Sequence, residues 1–173
     1  MSAGKKPKLK LRASAVLGSP VHCLAFGFGA GLAPVAPGTF GTLVGIPFVL
    51  LLLPLGPAVY GVATLAMFAL GCRVCGLSAQ RLGVHDYGGI VFDEVVGYII
   101  AAAPLQIDAL RIPLWSGLAA AFVLFRVFDI WKPWPIRQLD RRVHGGLGIM
   151  IDDVLAGIFA AAVLALGAGL IPR

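Results

Sequence analysis

The chain has 173 residues, of which 59% are hydrophobic and 13% charged, with a mean hydropathy of +0.93. That length suits one domain, and 22 charged residues (14 basic plus 8 acidic) are too few to coat it in water, so the composition excludes an ordinary soluble globular protein and points to the bilayer as solvent. The net charge of +6 does not signal nucleic acid, because Lys5, Lys6, Lys8, Lys10 and Arg12 crowd into a tail that fixes orientation and meets anionic headgroups.

In chain order, residues 1–20 read as a basic cytoplasmic tail and residues 21–173 as a single polytopic membrane domain. Val21–Ala33 is apolar but too short to cross; it carries His22, is broken by Gly27, Gly29 and Gly31, and runs into Pro34, Pro37 and Gly38. This pattern predicts a re-entrant or interfacial half-helix rather than a cleaved signal. Five apolar runs follow as candidate spans: Phe40–Leu55, Pro57–Leu77, Ile90–Leu105, Ile112–Trp131 and Ile149–Ile171. The Pro54-Leu55-Gly56-Pro57 break predicts a tight hairpin between the first two. The expected fold is therefore an all-α membrane protein with about five transmembrane helices plus one N-terminal re-entrant or interfacial half-helix. Cys23, Cys72 and Cys75 sit in or beside apolar stretches, and one C-x2-C with no second pair reads as buried thiols rather than a zinc site.

Charge tests this topology. With a cytoplasmic N-terminus and a half-helix that does not cross, the five tail bases join Arg73, Arg81, Lys132, Arg137, Arg141 and Arg142 inside, leaving Arg111 and Arg173 outside. Eleven against two obeys the positive-inside rule, and a crossing half-helix would send six of the eleven outside.

The same topology gathers Asp86, Asp93, Glu94, Asp129, Asp140, Asp152 and Asp153 at the cytoplasmic side and leaves Asp108 alone outside. Arg126 and Asp129, three apart, can pair on one helix face. Asp93-Glu94 and Asp152-Asp153 have no base within four residues, and adjacent acids that repel each other call for a cation between them. A shift of 59 residues aligns Val84–Leu105 with Val143–Leu164 and matches 11 of 22 positions, setting His85 on His144, Gly89 on Gly148, Asp93 on Asp152 and Glu94 on Asp153. The repeat predicts two helices running the same way around one centre, with Gly97 and Gly157 small enough for close approach.

Gly27, Gly29, Gly31, Gly38, Gly41 and Thr39 resemble turns whose amides face phosphate, although glycines also serve close helix packing. Arg126, Lys132, Arg137, Arg141 and Arg142 supply cations on the same side, and headgroup attraction accounts for Arg141 and Arg142 equally well. Cys75 and Arg81 have C-x5-R spacing without the flanks of a cysteine phosphatase, and neither a D-x-D pair after a strand nor the spaced acids of a CDP-alcohol phosphotransferase occurs. Metal-assisted displacement remains, and an all-oxygen ligand set favours Mg²⁺ over Zn²⁺. The candidate metal ligands are Asp93, Glu94, Asp152 and Asp153. The candidate catalytic residues are Asp93, Asp152, Asp129, His85 and His144, and the candidate phosphate-binding residues are Arg126, Lys132, Arg137, Thr39 and Gly38.

Four stretches carry a family resemblance: G-F-G-A-G-L-A-P-V-A-P-G-T-F-G at Gly27–Gly41, H-D-Y-G-G-I-V-F-D-E-V-V-G at His85–Gly97, F-R-V-F-D-I-W-K-P-W-P-I at Phe125–Ile136 and H-G-G-L-G-I-M-I-D-D-V-L-A-G at His144–Gly157. In these, from His22 onward, the chain resembles the phosphatidylglycerophosphatase A family. The resemblance implies an Mg²⁺-dependent enzyme of the bacterial inner membrane that converts phosphatidylglycerophosphate to phosphatidylglycerol. The rival from another class, a cation or proton transporter, requires acids near the midplane of the membrane rather than at one side. Composition leaves the oligomeric state open.

Overall fold

Gly56, at φ 82° and ψ 163°, breaks the longest apolar stretch of the chain, and that break sets the first half of the architecture. The computed structural model describes residues 11–84 and 87–170, without the side chains of Asp140 and Arg141. Among the described residues there is no strand; eight helices are joined by short turns. Two short helices, α1 (Ala13–Leu17) and α2 (Pro20–Ala25), precede the long α3 (Pro37–Leu52) and α4 (Gly56–Leu82). Then come α5 (Phe92–Ala101), α6 (Leu114–Trp131), α7 (Ile136–Arg142) and α8 (Gly145–Leu170).

The start of α3 lies beside Glu94 through Gly38, while Gly71, just past the middle of α4, packs on Phe92. At the other end the Tyr60 hydroxyl donates to the Ile99 carbonyl at 2.5 Å. The two helices therefore run antiparallel around the bend at Leu53–Gly56, which is the hairpin expected from Pro54 and Gly56.

Helix α5 is the axis of the bundle, touching α3, α4, α6 and α8. Val95, Val96, Tyr98 and Ile99 are fully buried on it, so its apolar surface faces protein all round. Ten residues rise only about 15 Å, half the hydrocarbon thickness. The expected span Ile90–Leu105 is thus corrected to a short buried helix followed by a 3-10 turn at Ala103–Gln106. Three helical stretches are long and apolar enough to cross a membrane: Pro37–Leu82, which contains the bend, Leu114–Trp131 and Gly145–Leu170. Exposed Trp115 and Trp131 sit at the two ends of α6, where amphipathic rings settle at membrane–water boundaries.

Val21–Ala33 is not one half-helix. Helix α2 ends at Ala25 and a 3-10 segment covers Gly27–Leu32, with a kink at Phe28 (φ 58°) and Gly29 (φ 100°). The segment is anchored to the bundle. Val91 N–H donates to the Ala25 carbonyl at 2.8 Å, and His22 Nδ1 lies 2.8 Å from Ser78 Oγ on α4. A Cβ on Gly31 would overlap the Gly89 carbonyl, so only glycine lets these loops touch. Val16 on α1, within the stretch read as tail, is also buried.

Candidate active site

The acids converge at one end of the bundle because of how four helices arrive there. Asp93 and Glu94 occupy the first turn of α5, where the positive end of the helix dipole favours carboxylates, and Glu94 N–H donates to Asp93 Oδ1 at 3.1 Å. Helix α8 runs parallel to α5 and touches it through two glycines. A Cβ on Gly157 would overlap the Gly97 carbonyl, and one on Gly97 would lie 2.8 Å from the Asp153 carbonyl and 2.5 Å from Phe125. This contact sets Asp153 level with Asp93 and Glu94. One carboxylate oxygen from each of the three lies within 4.8 Å of the others.

The repeat thus marks a real parallel pair, but the contact register is 60 rather than 59. Asp153, not Asp152, closes the carboxylate group with Asp93. Successive helical side chains are separated by about 100°, so Asp152 faces elsewhere. Its Oδ2 meets Lys132 Nζ at 2.5 Å.

Helix α6 runs antiparallel to α5, the Tyr98 hydroxyl donating to the Leu118 carbonyl at 3.1 Å, and delivers its C-terminal turns to the same end. Arg126 binds Asp129 there at 2.6 Å, as its spacing predicts. The guanidinium also borders Gly38, where a Cβ would lie 3.0 Å from Nη1 and overlap Glu94 Oε1. Asp129 sits within electrostatic reach of both Asp153 and Glu94. Lys132 caps α6 in the left-handed region (φ 44°), which turns the chain toward Asp152.

Thr39 is half-buried in the first turn of α3, Arg137 is exposed on α7, and His144 is exposed ahead of α8 with Nδ1 3.1 Å from the Arg142 carbonyl. His85 lies outside the described residues, as does Asp86. Gly38 and Gly41 lie within α3 rather than in a loop, Gly38 in its first turn beside Glu94 and Arg126, and a Cβ on Gly41 would lie 2.6 Å from Val91 Cβ. Close packing, one of the two uses read for these glycines, is seen at both. Gly45 continues that smooth face against Tyr98, a contact the i, i+3, i+7 spacing of the three glycines encodes and the sequence reading passed over. It also passed over the His22–Ser78 tie, whose imidazole pKa is lowered by burial and by the Arg81 charge. Cys75 is fully buried, as a structural thiol should be.

Three crowded carboxylates cost energy unless a cation joins them. Among the described residues none of the three has an ion-pair partner, and Glu94 Oε2 and Asp153 Oδ1 are buried without a hydrogen bond. Octahedral Mg²⁺, with oxygens at about 2.0 to 2.1 Å, spreads its ligands over at most about 4.2 Å, and the three oxygens here lie within 4.8 Å of one another. The donor set therefore fits a hard divalent cation.

The chain is also similar to known proteins. The model of the phosphatidylglycerophosphatase A family matches residues 23–168. A protein of Escherichia coli K12 named phosphatidylglycerophosphatase A is 45% identical over 148 residues, covering 86% of this chain and 83% of the relative. One of the same name from Haemophilus influenzae is 49% identical over 147 residues, covering 84% and 87%. A third relative, from Bacteroides thetaiotaomicron, is 35% identical over 148 residues, covering 80% and 87%, and carries a provisional name as a phosphatidylinositol-3-phosphatase. No solved structure matches the chain.

Proposed function

Because the chain belongs to the phosphatidylglycerophosphatase A family, we propose that it hydrolyses the terminal phosphomonoester of phosphatidylglycerophosphate, yielding phosphatidylglycerol and inorganic phosphate for phospholipid synthesis. The observation that carries this reading is the meeting of Asp93, Glu94 and Asp153 beside Arg126 and Lys132 at one end of the helices. A transporter would need such groups along a path through the membrane, and a gathering at one end favours chemistry at a surface.

In this reading Asp93, Glu94 and Asp153 hold Mg²⁺, with Asp152 held back by Lys132 as the fourth acid of the site. The ion, when bound, supplies a Lewis acid for phosphoryl oxygens and lowers the pKa of its water. Arg126 and Lys132 bind the non-bridging oxygens; Asp129 aims Arg126 and Asp152 aims Lys132. Water is the net co-reactant: its oxygen bonds to phosphorus, the ester P–O bond breaks, and the released glycerol oxygen takes a proton. His85 and His144 are the proton carriers of this scheme, with Thr39 and Arg137 contributing to the phosphate surroundings. The enzyme lies in the bacterial inner membrane with its N-terminus and its site on the cytoplasmic side.

Phosphate release from the purified protein, with and without Mg²⁺, tests the proposal. Turnover of phosphatidylglycerophosphate that vanishes on chelation supports it, and Mg²⁺-independent turnover removes the metal. The Bacteroides relative supplies a second headgroup to compare, and faster release from phosphatidylinositol-3-phosphate would reassign the substrate.

A further inference from the structure

From Leu24 to Gly38 the chain runs through fifteen residues without one hydrogen-bonding side chain, yet folds them into short, broken turns rather than a helix. A loop turned to water draws on Asn, Asp and Ser, and none is here. The backbone closes on itself instead. Gly29 and Gly31 N–H both donate to the Phe26 carbonyl, at 3.1 and 2.9 Å, and Ala33 N–H donates to the Ala30 carbonyl at 3.1 Å. Between them Phe28 is held at φ 58°, a left-handed conformation that is costly for an aromatic residue. Its ring is exposed and lies against Phe48 of α3, with centroids 6.3 Å apart and planes 20° apart. Phe48 is eleven positions past Pro37, about 16 Å along the helix at 1.5 Å per residue. Leu17 reaches the same place from α1. It is exposed, and its Cδ2 lies 3.5 Å from where Gly29 would carry a Cβ.

We propose that residues 24–36 form a re-entrant loop immersed in the acyl chains of the leaflet on the site's side, with Phe28 and Leu17 as its lipid-facing surface. Helix α3 selects the occupant. Pro37–Leu82 is long and apolar enough to cross a membrane, and a ring stacked on Phe48 lies beyond the first turns of that stretch. What surrounds α3 at that depth therefore surrounds Phe28. The backbone meets the demand that hydrocarbon makes, because an unsatisfied N–H there costs several kcal/mol and the Phe26 carbonyl answers two of them. Irregular backbone is tolerated at such depth where it packs on protein, and Gly27 and Gly31 are buried, the second on the Gly89 carbonyl. Both ends of the dip stay at the level of the carboxylates. The loop enters from His22, tied to Ser78 in the last turns of α4, and leaves at Pro37, where Gly38 adjoins Glu94. It also grips the site, since Val91 N–H donates to the Ala25 carbonyl two residues ahead of Asp93. Lipid around Phe28 thus supports the segment that delivers Asp93 and Glu94.

Electron paramagnetic resonance tests this on the full chain, with Cys23, Cys72 and Cys75 replaced, in vesicles of phosphatidylethanolamine and phosphatidylglycerol. A nitroxide is attached in turn at Phe28→Cys, at Leu17→Cys, at Leu43→Cys on the exposed face of α3, and at Arg137→Cys on exposed α7. Oxygen concentrates in hydrocarbon and a nickel chelate in water, so the ratio of the two collision rates reads depth. The labels at Phe28 and Leu17 should show a ratio several-fold above that at Arg137 and close to that at Leu43. A label at Phe28 as open to the chelate as the one at Arg137 would put the loop in water and overturn the proposal. A label at Phe28 shielded from both reagents would mean that protein, such as a second copy of the chain, covers the ring, and that result overturns it too. Should Phe28→Cys fail to fold, as its melting in detergent would reveal, the label at Leu17 decides on the same criteria from a separate helix.

Discussion

A carboxylate inside a membrane protein persists where something offsets its lost hydration, and Asp93, Glu94 and Asp153 crowd together with no ion-pair partner among the described residues. On the proposed metal-dependent reading a divalent cation supplies the offset, and Mg²⁺ should raise the melting temperature of the protein in detergent by binding the folded state alone. Asp93→Asn and Asp153→Asn should abolish that rise and lower phosphate release on the order of 100-fold or more, while melting in chelator stays equal or improves. Asp108→Asn, exposed at the far end of α6, should alter neither reading. Full turnover in Asp93→Asn would end the metal assignment. Gly38→Ala makes a second test at this scale. Its methyl must displace Glu94 and crowd Arg126, so turnover should fall by more than the overpacking cost of about 1 to 3 kcal/mol in unfolding implies. An active Gly38→Ala would mean that Glu94 is not held in place. The acid pairs were legible because repulsive neighbours need a reason. Which member of Asp152-Asp153 faces Asp93 was not, since adjacent residues differ by a helical rotation that only the packing register decides.

Helix α5 shows what hydropathy alone cannot separate. Ile90–Leu105 is as apolar as a span, yet its core turns are wrapped by four neighbouring helices, and protein removes their side chains from water as lipid would. The hairpin at Pro54–Gly56 was legible for the opposite reason, because its signal is local backbone chemistry. The repeat was legible as a parallel pair, and its glycines carry the contact. Gly97→Ala and Gly157→Ala each press a methyl on a backbone carbonyl, which cannot swing away as a side chain can. Both variants should unfold at lower temperature and lose activity together, as α5 and α8 separate and the carboxylates part. Gly167→Ala, in the same helix with open space at its Cβ, should be neutral or gain up to about 1 kcal/mol from helix propensity. Thermal unfolding of the three in detergent decides; equal behaviour would remove the glycine crossing as the device that aligns the site.

For the whole molecule, the two ends of α6 define two chemical sides. One end carries Asp129, Lys132 and the approach of Asp93, Glu94, Asp152 and Asp153; the other follows Asp108 and Arg111. Exposed Trp115 and Trp131, sixteen positions apart on a helix rising 1.5 Å per residue, stand about 24 Å apart along the axis. That separation suits rings seated at both faces of a hydrocarbon layer about 30 Å thick on a tilted or locally thinned path. The proposed orientation rests on the bases: Arg137 and Arg142 follow the acidic end in sequence, and positive segments tend to stay in the cytoplasm. In a variant with Cys23, Cys72 and Cys75 replaced, a cysteine introduced at Arg137 should resist a membrane-impermeant maleimide in intact spheroplasts, and one introduced at Asp108 should react. Lysis should expose the first to the reagent. The reverse pattern would put the carboxylates on the outer face, and the positive-inside reading of the chain would fail with it.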